Sequence, residues 1–325
     1  MDFESAARRL EFELVRGEPL ARHTTFRIGG PADWYATGTT VERLELLADL
    51  AAEHGVPLTV LGGGSNLLVS DRGIRGLVVA NQARWHGRAG NYRDQWPEGM
   101  LPDSDVIAES GVPLAGFARW CIRNGLGGLE WAVSVPGTVA GAVIGNAGAH
   151  GSDTAANLAW VLVRGPGGAR RVLFRDDLRY SYRSSVLKEQ LLEAVHGAGP
   201  IVLAAGFLLK QEDSGPLAER ADGYLARRRA TQPVEPSAGS IFRNPTGDYA
   251  GRLIESLGLK GHRIGGAQVS PRHANFIVNA GEASAADVTA LINLIRGKVF
   301  EATGIRLMPE ILFVGEWTAP PLLAL

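Results

Sequence analysis

Three side chains in this chain stand where proton transfer and anion binding could take place. Ser240 lies in Ser237-Ala238-Gly239-Ser240-Ile241-Phe242-Arg243-Asn244-Pro245. The preceding glycine lets backbone come close to a ligand, and Pro245 keeps the segment out of regular structure. A rigid, exposed hydroxyl of this kind can deliver or receive a proton. Arg183 sits among hydroxyls in Tyr180-Ser181-Tyr182-Arg183-Ser184-Ser185. A guanidinium fork binds a carboxylate or an enolate oxygen bidentately. Glu310 follows Pro309 in Leu307-Met308-Pro309-Glu310-Ile311, at the start of an apolar strand. A part-buried carboxyl there can donate a proton or a hydrogen bond. Each has an ordinary alternative: a turn serine, a surface ion pair, an exposed strand-end carboxylate.

Two runs of small residues could bring backbone against a large polar ligand. The first is Gly62-Gly63-Gly64-Ser65-Asn66-Leu67-Leu68, directly after a strand. Consecutive glycines let amide N–H groups point into one concavity suited to phosphate oxygens. Leu67 stands where the dinucleotide fingerprint needs its third glycine, and no Gly-Lys-Ser/Thr follows, so neither that motif nor a P-loop is present. The second run extends from Ser134 to Gly148, with small residues at 137, 140, 141, 145, 147 and 148. Alone, the first is balanced between phosphate cradle and flexible turn, and the second reads more readily as close helix packing. Together they point to one extended ligand held at two places.

Other chemistries lack their residues. The seven histidines show no metal-ligand spacing. The single cysteine, Cys121, can form neither an internal disulfide nor a thiolate metal site. No Gly-x-Ser-x-Gly elbow occurs. Arg227-Arg228-Arg229 is either a solvated helix face or a neutraliser of a substrate diphosphate.

The elements that must position these residues alternate. Helices are expected over residues 5–15, Val41–His54, Leu114–Asn124, Ala218–Arg229, Ala250–Leu257 and Ala285–Thr303, the last starting at Ser284 and stopping at Gly304. Strands are expected over Asp33–Ala36, Leu58–Leu61, Gly76–Ala80, Leu158–Arg164, Arg171–Phe174, Ile201–Leu208, Asn275–Val278 and Leu312–Val314. Residues 84–105 read as an irregular excursion, and Gly125–Gly151 as a long loop. This order predicts an α+β protein with a small α+β lobe, a second, mainly antiparallel lobe and a third, C-terminal one.

At 325 residues the chain exceeds one small core, and its net charge of −1 excludes a dedicated nucleic-acid surface. The first residues lack the basic-then-apolar pattern of a signal peptide. No apolar run reaches the roughly 20 residues that span a bilayer. A cytoplasmic protein without membrane insertion is expected.

Taken together, these segments resemble the UDP-N-acetylenolpyruvoylglucosamine reductases, the MurB family of peptidoglycan synthesis. The resemblance runs from Thr24-Thr25-Phe26-Arg27-Ile28-Gly29-Gly30-Pro31 through both glycine runs, Tyr182-Arg183-Ser184-Ser185 and the Ser240 segment to Pro309-Glu310-Ile311. It implies an FAD-binding fold of the vanillyl-alcohol oxidase/p-cresol methylhydroxylase type, with two α+β lobes, plus a C-terminal α+β substrate-binding domain. The implied boundaries are a lead-in at 1–26, an FAD-binding domain at 27–212 with lobes at about 27–80 and 81–212, and a substrate domain at 213–325. It implies non-covalent FAD, NADPH as co-substrate and a UDP sugar whose enolpyruvyl group is reduced, in a monomer. It also implies Ser240 as proton donor, with Arg183 and Glu310 stabilising charge beside the substrate carboxylate. By the same match Arg27, Gly62, Gly63, Gly64, Ser65, Asn66, Leu67, Ser134, Pro136, Gly137, Ala140, Gly141, Asn146 and Gly148 hold the cofactor. Tyr182, Arg228, Arg243 and Asn244 hold the substrate.

The chain departs from the family pattern at several points. Arg243 stands for a usual lysine, His150 for a common tyrosine, His23 for a polar residue, and Thr231 precedes Gln232-Pro233 where lysine is frequent. The short segment between Arg183 and Ser240 lacks a tyrosine-bearing loop, which places the chain in the loop-less, type II-like subgroup. Two other readings remain open: an FAD oxidoreductase of the same fold acting on an alcohol or hydroxy acid, and a flavin-binding protein without turnover.

Overall fold

The computed structural model describes residues 2–93, 96, 99–194 and 199–318. The chain divides into two units. The first comprises Met1–Val15, Tyr35–Gly63 and Gly76–Arg227; the second comprises Arg16–Trp34, Gly64–Arg75 and Arg228–Leu325.

The first unit begins with the helix Phe3–Arg9, shorter than expected. Asp2 caps it through a 2.9 Å bond from the Ser5 amide, and Glu11, with φ of 57°, turns the chain away. In the helix Val41–Glu53, Leu44, Leu47, Ala48 and Ala51 are buried at the predicted spacing, and Thr40 caps the start. Strand Leu58–Leu61 pairs in parallel with the Leu77–Ala80 part of Ile74–Asn81, Leu58 facing Leu77 and Leu61 facing Ala80.

A second sheet of this unit runs Arg170–Phe174, Leu158–Arg164, Ile201–Phe207, Val106–Glu109, His86–Arg88 and is antiparallel throughout. The helix Leu114–Arg123 sends Phe117, Ala118 and Cys121 into its core, beside Trp131, Val161 and Phe207. Burying a side chain of Leu or Phe size contributes about 1.5–3 kcal/mol, so this face dominates the lobe. Burial also pushes the Cys121 thiol up to about 12, which keeps it unreactive.

Two expected loops contain regular structure. Residues 84–105 include the strand His86–Arg88 and the helix Ala89–Arg93. Within 125–151 lies the helix Val139–Gly145, with Val139, Ala142 and Val143 buried and Thr138 accepting from the Gly141 amide at 3.4 Å. Its glycine content concealed the three-to-four-residue periodicity of those apolar positions. The helix Val186–Glu193 follows Ser185, whose Oγ caps it at 3.2 Å from the Lys188 amide.

Glu109 closes the strand Val106–Glu109 against a cavity of about 390 Å³ lined by Thr40, Gln82, Arg84, Trp85, Tyr92 and Trp96, none of them a predicted site residue. Burial is the main cause that raises the Glu109 pKa, and bonds from the Trp85 amide (2.8 Å) and Tyr92 hydroxyl (3.3 Å) only offset it. A raised folded-state pKa stabilises the fold at acid pH and ceases to do so as pH climbs through it. Glu109→Gln is therefore expected to gain melting temperature over the parent as pH is raised from about 4 to about 8. A gap that does not change with pH would refute this.

In the second unit, a four-stranded antiparallel sheet runs Ser237–Ser240, Phe276–Asn279, Ala267–Val269, Arg263–Ile264. The helix Ala285–Thr303 packs on it through Val288, Leu291, Ile292, Ile295 and Val299. As expected, Ser284 starts that helix, with Asp287 completing a capping box, and Gly304 at φ of 72° stops it. Strand Leu312–Val314 pairs in parallel with Leu67–Val69, a strand the glycine-rich sequence concealed. Among the described residues no helix is long and apolar enough to cross a membrane.

Candidate active site

In the first unit the two glycine runs meet. A Cβ on Gly62 would stand 2.7 Å from Thr138 Oγ1, and one on Gly63 would stand 2.9 Å from Gly137 Cα. Gly62 and Gly63 are exposed on their other side, as are Pro136 and Gly141, while Gly137 and Ala140 are half-buried. The Val139 and Ala140 amides are held by the Val112 and Ser110 carbonyls at 2.9 and 3.0 Å. Bare peptide is thus presented on a fixed frame, which suits the diphosphate and flat rings of a dinucleotide cofactor. Gly63→Ala forces two backbones apart and is expected to yield protein with much less flavin than the parent, read from the flavin-to-protein absorbance ratio. Undiminished flavin would exclude this cradle.

Ser134 is buried, with Oγ 3.2 Å from the Trp131 carbonyl and 3.1 Å from His150 Nε2. The His150 ring stacks on Tyr224 at 4.2 Å between centroids and 12° between planes. His150 therefore spans a serine and an aromatic ring of its own unit.

Arg183 has a left-handed φ of 57°. Its Nη1 donates to the Asn146 carbonyl at 3.3 Å and its Nη2 to the Gly148 carbonyl at 2.7 Å. Neighbouring residues grip the same stretch. Tyr180 OH donates to the Val143 carbonyl at 2.9 Å and Ser185 Oγ to that of Ile144 at 2.6 Å. A helix end leaves its last carbonyls without helical partners, and here the 180–185 segment supplies them. Asn146 is buried, its amide engaged by Asp153, Ser181 and Ala155. Tyr182 is 54% exposed, with the Arg183 guanidinium 5.3 Å from its ring centre.

In the second unit the structure brings Ser240 and Glu310 onto adjacent backbone. The Arg243 amide donates to the Met308 carbonyl at 2.9 Å and the Glu310 amide to that of Ile241 at 2.7 Å, with Phe242 bridging Pro309. Ser240 and Glu310 are both half-buried. Asn66 joins them from the glycine run: its Nδ2 donates to the Glu310 carbonyl at 3.2 Å, and its carbonyl accepts from Leu312 at 2.9 Å. Gly64 is buried with φ of 57°, Ser65 is half-buried, and Leu67 opens its strand. The Thr25 amide bonds the Gly64 carbonyl at 3.1 Å while its hydroxyl bonds that of Ser237 at 2.7 Å. Arg27, two residues on, is exposed with φ of 56°. His23 is paired with Glu18 at 2.9 Å.

The proposed substrate residues of this unit differ in setting. Arg243 Nε is buried and has no hydrogen-bond partner among the described residues, which suits a ligand anion. Asn244 is exposed, its Oδ1 accepting from the Ala250 amide at 3.1 Å. Arg228 is half-buried, and burial holds its guanidinium below the usual arginine range. Sequence reasoning missed Asn275, a buried amide between Ile241 and Phe242. No local pattern marks it, because its partners lie 33 residues away.

Comparison with known proteins finds relatives over most of the chain. A family model described as the UDP-N-acetylenolpyruvoylglucosamine reductase C-terminal domain matches residues 232–314, and one described as an FAD binding domain matches residues 32–170. A protein named UDP-N-acetylenolpyruvoylglucosamine reductase from Chloroflexus aggregans is 41% identical over 307 residues, 93% of this chain and 98% of that one. One of the same name from Synechococcus sp. strain WH7803 is 46% identical over 302 residues, 91% and 92% of the two chains. The solved structure of UDP-N-acetylenolpyruvylglucosamine reductase (MurB) from Thermus caldophilus superposes with a TM-score of 0.73 at 33% identity, covering 93% of this chain and 99% of that one. The α+β architecture is thus the FAD-binding fold expected from the sequence, of the vanillyl-alcohol oxidase/p-cresol methylhydroxylase type, joined to the C-terminal domain of these reductases.

Proposed function

The chain belongs to the UDP-N-acetylenolpyruvoylglucosamine reductase family, and from that premise we propose how its residues carry out the reaction. The enzyme reduces the enolpyruvyl group of UDP-N-acetylglucosamine enolpyruvate to the lactyl ether of UDP-N-acetylmuramate, at the expense of NADPH. Bound FAD supplies the two-electron relay between NADPH and the enolpyruvyl double bond. Gly62, Gly63, Gly64, Ser65, Asn66 and Leu67 hold it, with Arg27, Ser134, Pro136, Gly137, Ala140 and Gly141. Asn146 and Gly148 contribute through the turn they form.

Hydride arriving at the terminal carbon drives charge onto the neighbouring carbon and its carboxylate. That charge needs stabilisation where it develops. Arg183 and Glu310 serve this purpose, the first as a charged fork aimed by the Asn146 and Gly148 carbonyls, the second as a hydrogen-bonding carboxyl. Ser240 Oγ then gives its proton to the carbon beside the carboxylate. Tyr182, Arg228, Arg243 and Asn244 bind the rest of the UDP sugar. Residues 27–212 serve as the FAD-binding domain, after a lead-in at 1–26, and 213–325 as the substrate-binding domain. The enzyme works as a monomer in the cytoplasm, where its NADPH and nucleotide sugar are made.

The observation that most supports this reading is the backbone pairing of Ile241–Arg243 with Met308–Glu310, which brings the chain immediately after Ser240 against the chain at Glu310. An anaerobic titration tests it. NADPH should bleach the flavin, and the enolpyruvyl UDP sugar should restore its colour. Restoration by an alcohol-derived carbonyl but not by the sugar would overturn the assignment.

A further inference from the structure

Ser240 leaves its sheet between two constraints. Upstream, Ser237 faces Val278 and Ser240 faces Phe276, so three steps on one strand oppose two on the other. The surplus is absorbed at Ala238–Gly239, where Gly239 takes a φ of 78°. A bulge of this type re-aims the side chain that follows it. Downstream, Asn275 grips the backbone of the next two residues. Its carbonyl accepts from the Ile241 amide at 2.8 Å. Its Oδ1 accepts from the Phe242 amide at 3.0 Å, and its Nδ2 donates to the Phe242 carbonyl at 2.8 Å. A carboxamide pairs one donor and one acceptor, matched to the two polar groups of a single residue's backbone. Asn275 is 4% exposed, and a buried amide is tolerated only when so satisfied. Its own amide is held in turn by His273 Nδ1 at 3.2 Å.

We propose that Asn275 is a positioning residue for proton delivery: by clamping Phe242 against the Gly239 bulge, it fixes the direction of the Ser240 hydroxyl. This rests on the reading of Ser240 as proton donor. The clamp holds the backbone on one side of Ser240 as the bulge holds it on the other. Proton transfer depends steeply on such alignment, whereas bleaching of the cofactor by NADPH requires no proton from Ser240.

The test uses the full-length, FAD-loaded enzyme carrying Asn275→Asp or Asn275→Ala. The aspartate keeps the acceptor and loses the donor; the alanine loses both. Rapid-mixing absorbance follows bleaching by NADPH and recolouring by the enolpyruvyl UDP sugar, in H2O and in D2O. Bleaching should stay within about twofold of the parent, while recolouring at saturating sugar slows about tenfold to a hundredfold, more for alanine than for aspartate. The solvent isotope effect on recolouring should rise. Unchanged recolouring in both variants, with Ser240→Ala inactive in that step, would refute the role of Asn275 and leave that of Ser240 standing. Normal recolouring by Ser240→Ala would instead remove the premise. Variants that lose flavin, or slow equally in both steps, would show that Asn275 serves only the fold.

Discussion

Ser240→Ala is expected to bleach with NADPH at a rate within about twofold of the parent and to recolour with the enolpyruvyl sugar about 10²–10⁴ times more slowly. The first step calls on the cofactor and its cradle, and Ser240 belongs to neither. The second step must place a proton on carbon, and a methyl group has none to give. The substitution removes one oxygen from a half-buried strand end whose geometry is set by backbone, through Gly239, Asn275 and the Met308–Glu310 pairing. The fold should therefore survive it. Equal slowing of both steps would assign the serine to structure.

Arg183→Ala is expected to slow recolouring about 10²–10³-fold, the loss typical of a charge stabiliser at a developing oxyanion. It carries a second effect that Ser240→Ala lacks. Arg183 holds the Asn146 and Gly148 carbonyls, and its backbone is left-handed. Alanine retains the unfavourable φ and loses both bonds. Glycine loses the same bonds but tolerates the φ, so Arg183→Gly should be more stable than Arg183→Ala by about 1 kcal/mol. Equal deficits in recolouring with unequal melting temperatures would separate the chemical role from the structural one. Turnover at the parent rate in either variant would disprove the chemical role.

Much of the candidate site's local structure was legible because its parts are short and locally coded. Ser240 announces itself through Gly239 and Pro245, and the first glycine run through three consecutive residues without side chains. The long C-terminal helix was readable from Ser284 and Gly304, which cap it through neighbours only a few residues away. What escaped depends on distant partners. The helix Val139–Gly145 is rich in glycine and alanine, and its carbonyl end is satisfied from the 180–185 segment. Leu67–Val69 is a strand because Leu312–Val314 lies beside it. Asn275 is an ordinary amide until Phe242 is placed between its two polar atoms. Propensity along the chain carries none of these pairings.

The grip of Tyr180, Arg183 and Ser185 on four successive stations of the 143–148 stretch has an implication for protein engineering. The two stretches behave as lock and key cut from the same blank. Because the four acceptors are backbone carbonyls, which every sequence supplies, a chimera that imports residues 134–149 from a relative keeps them as long as its helix ends at the same residue. One that replaces 180–185 by a segment without Tyr180, Arg183 and Ser185 loses the donors, so recombination between homologues should hinge on those three side chains.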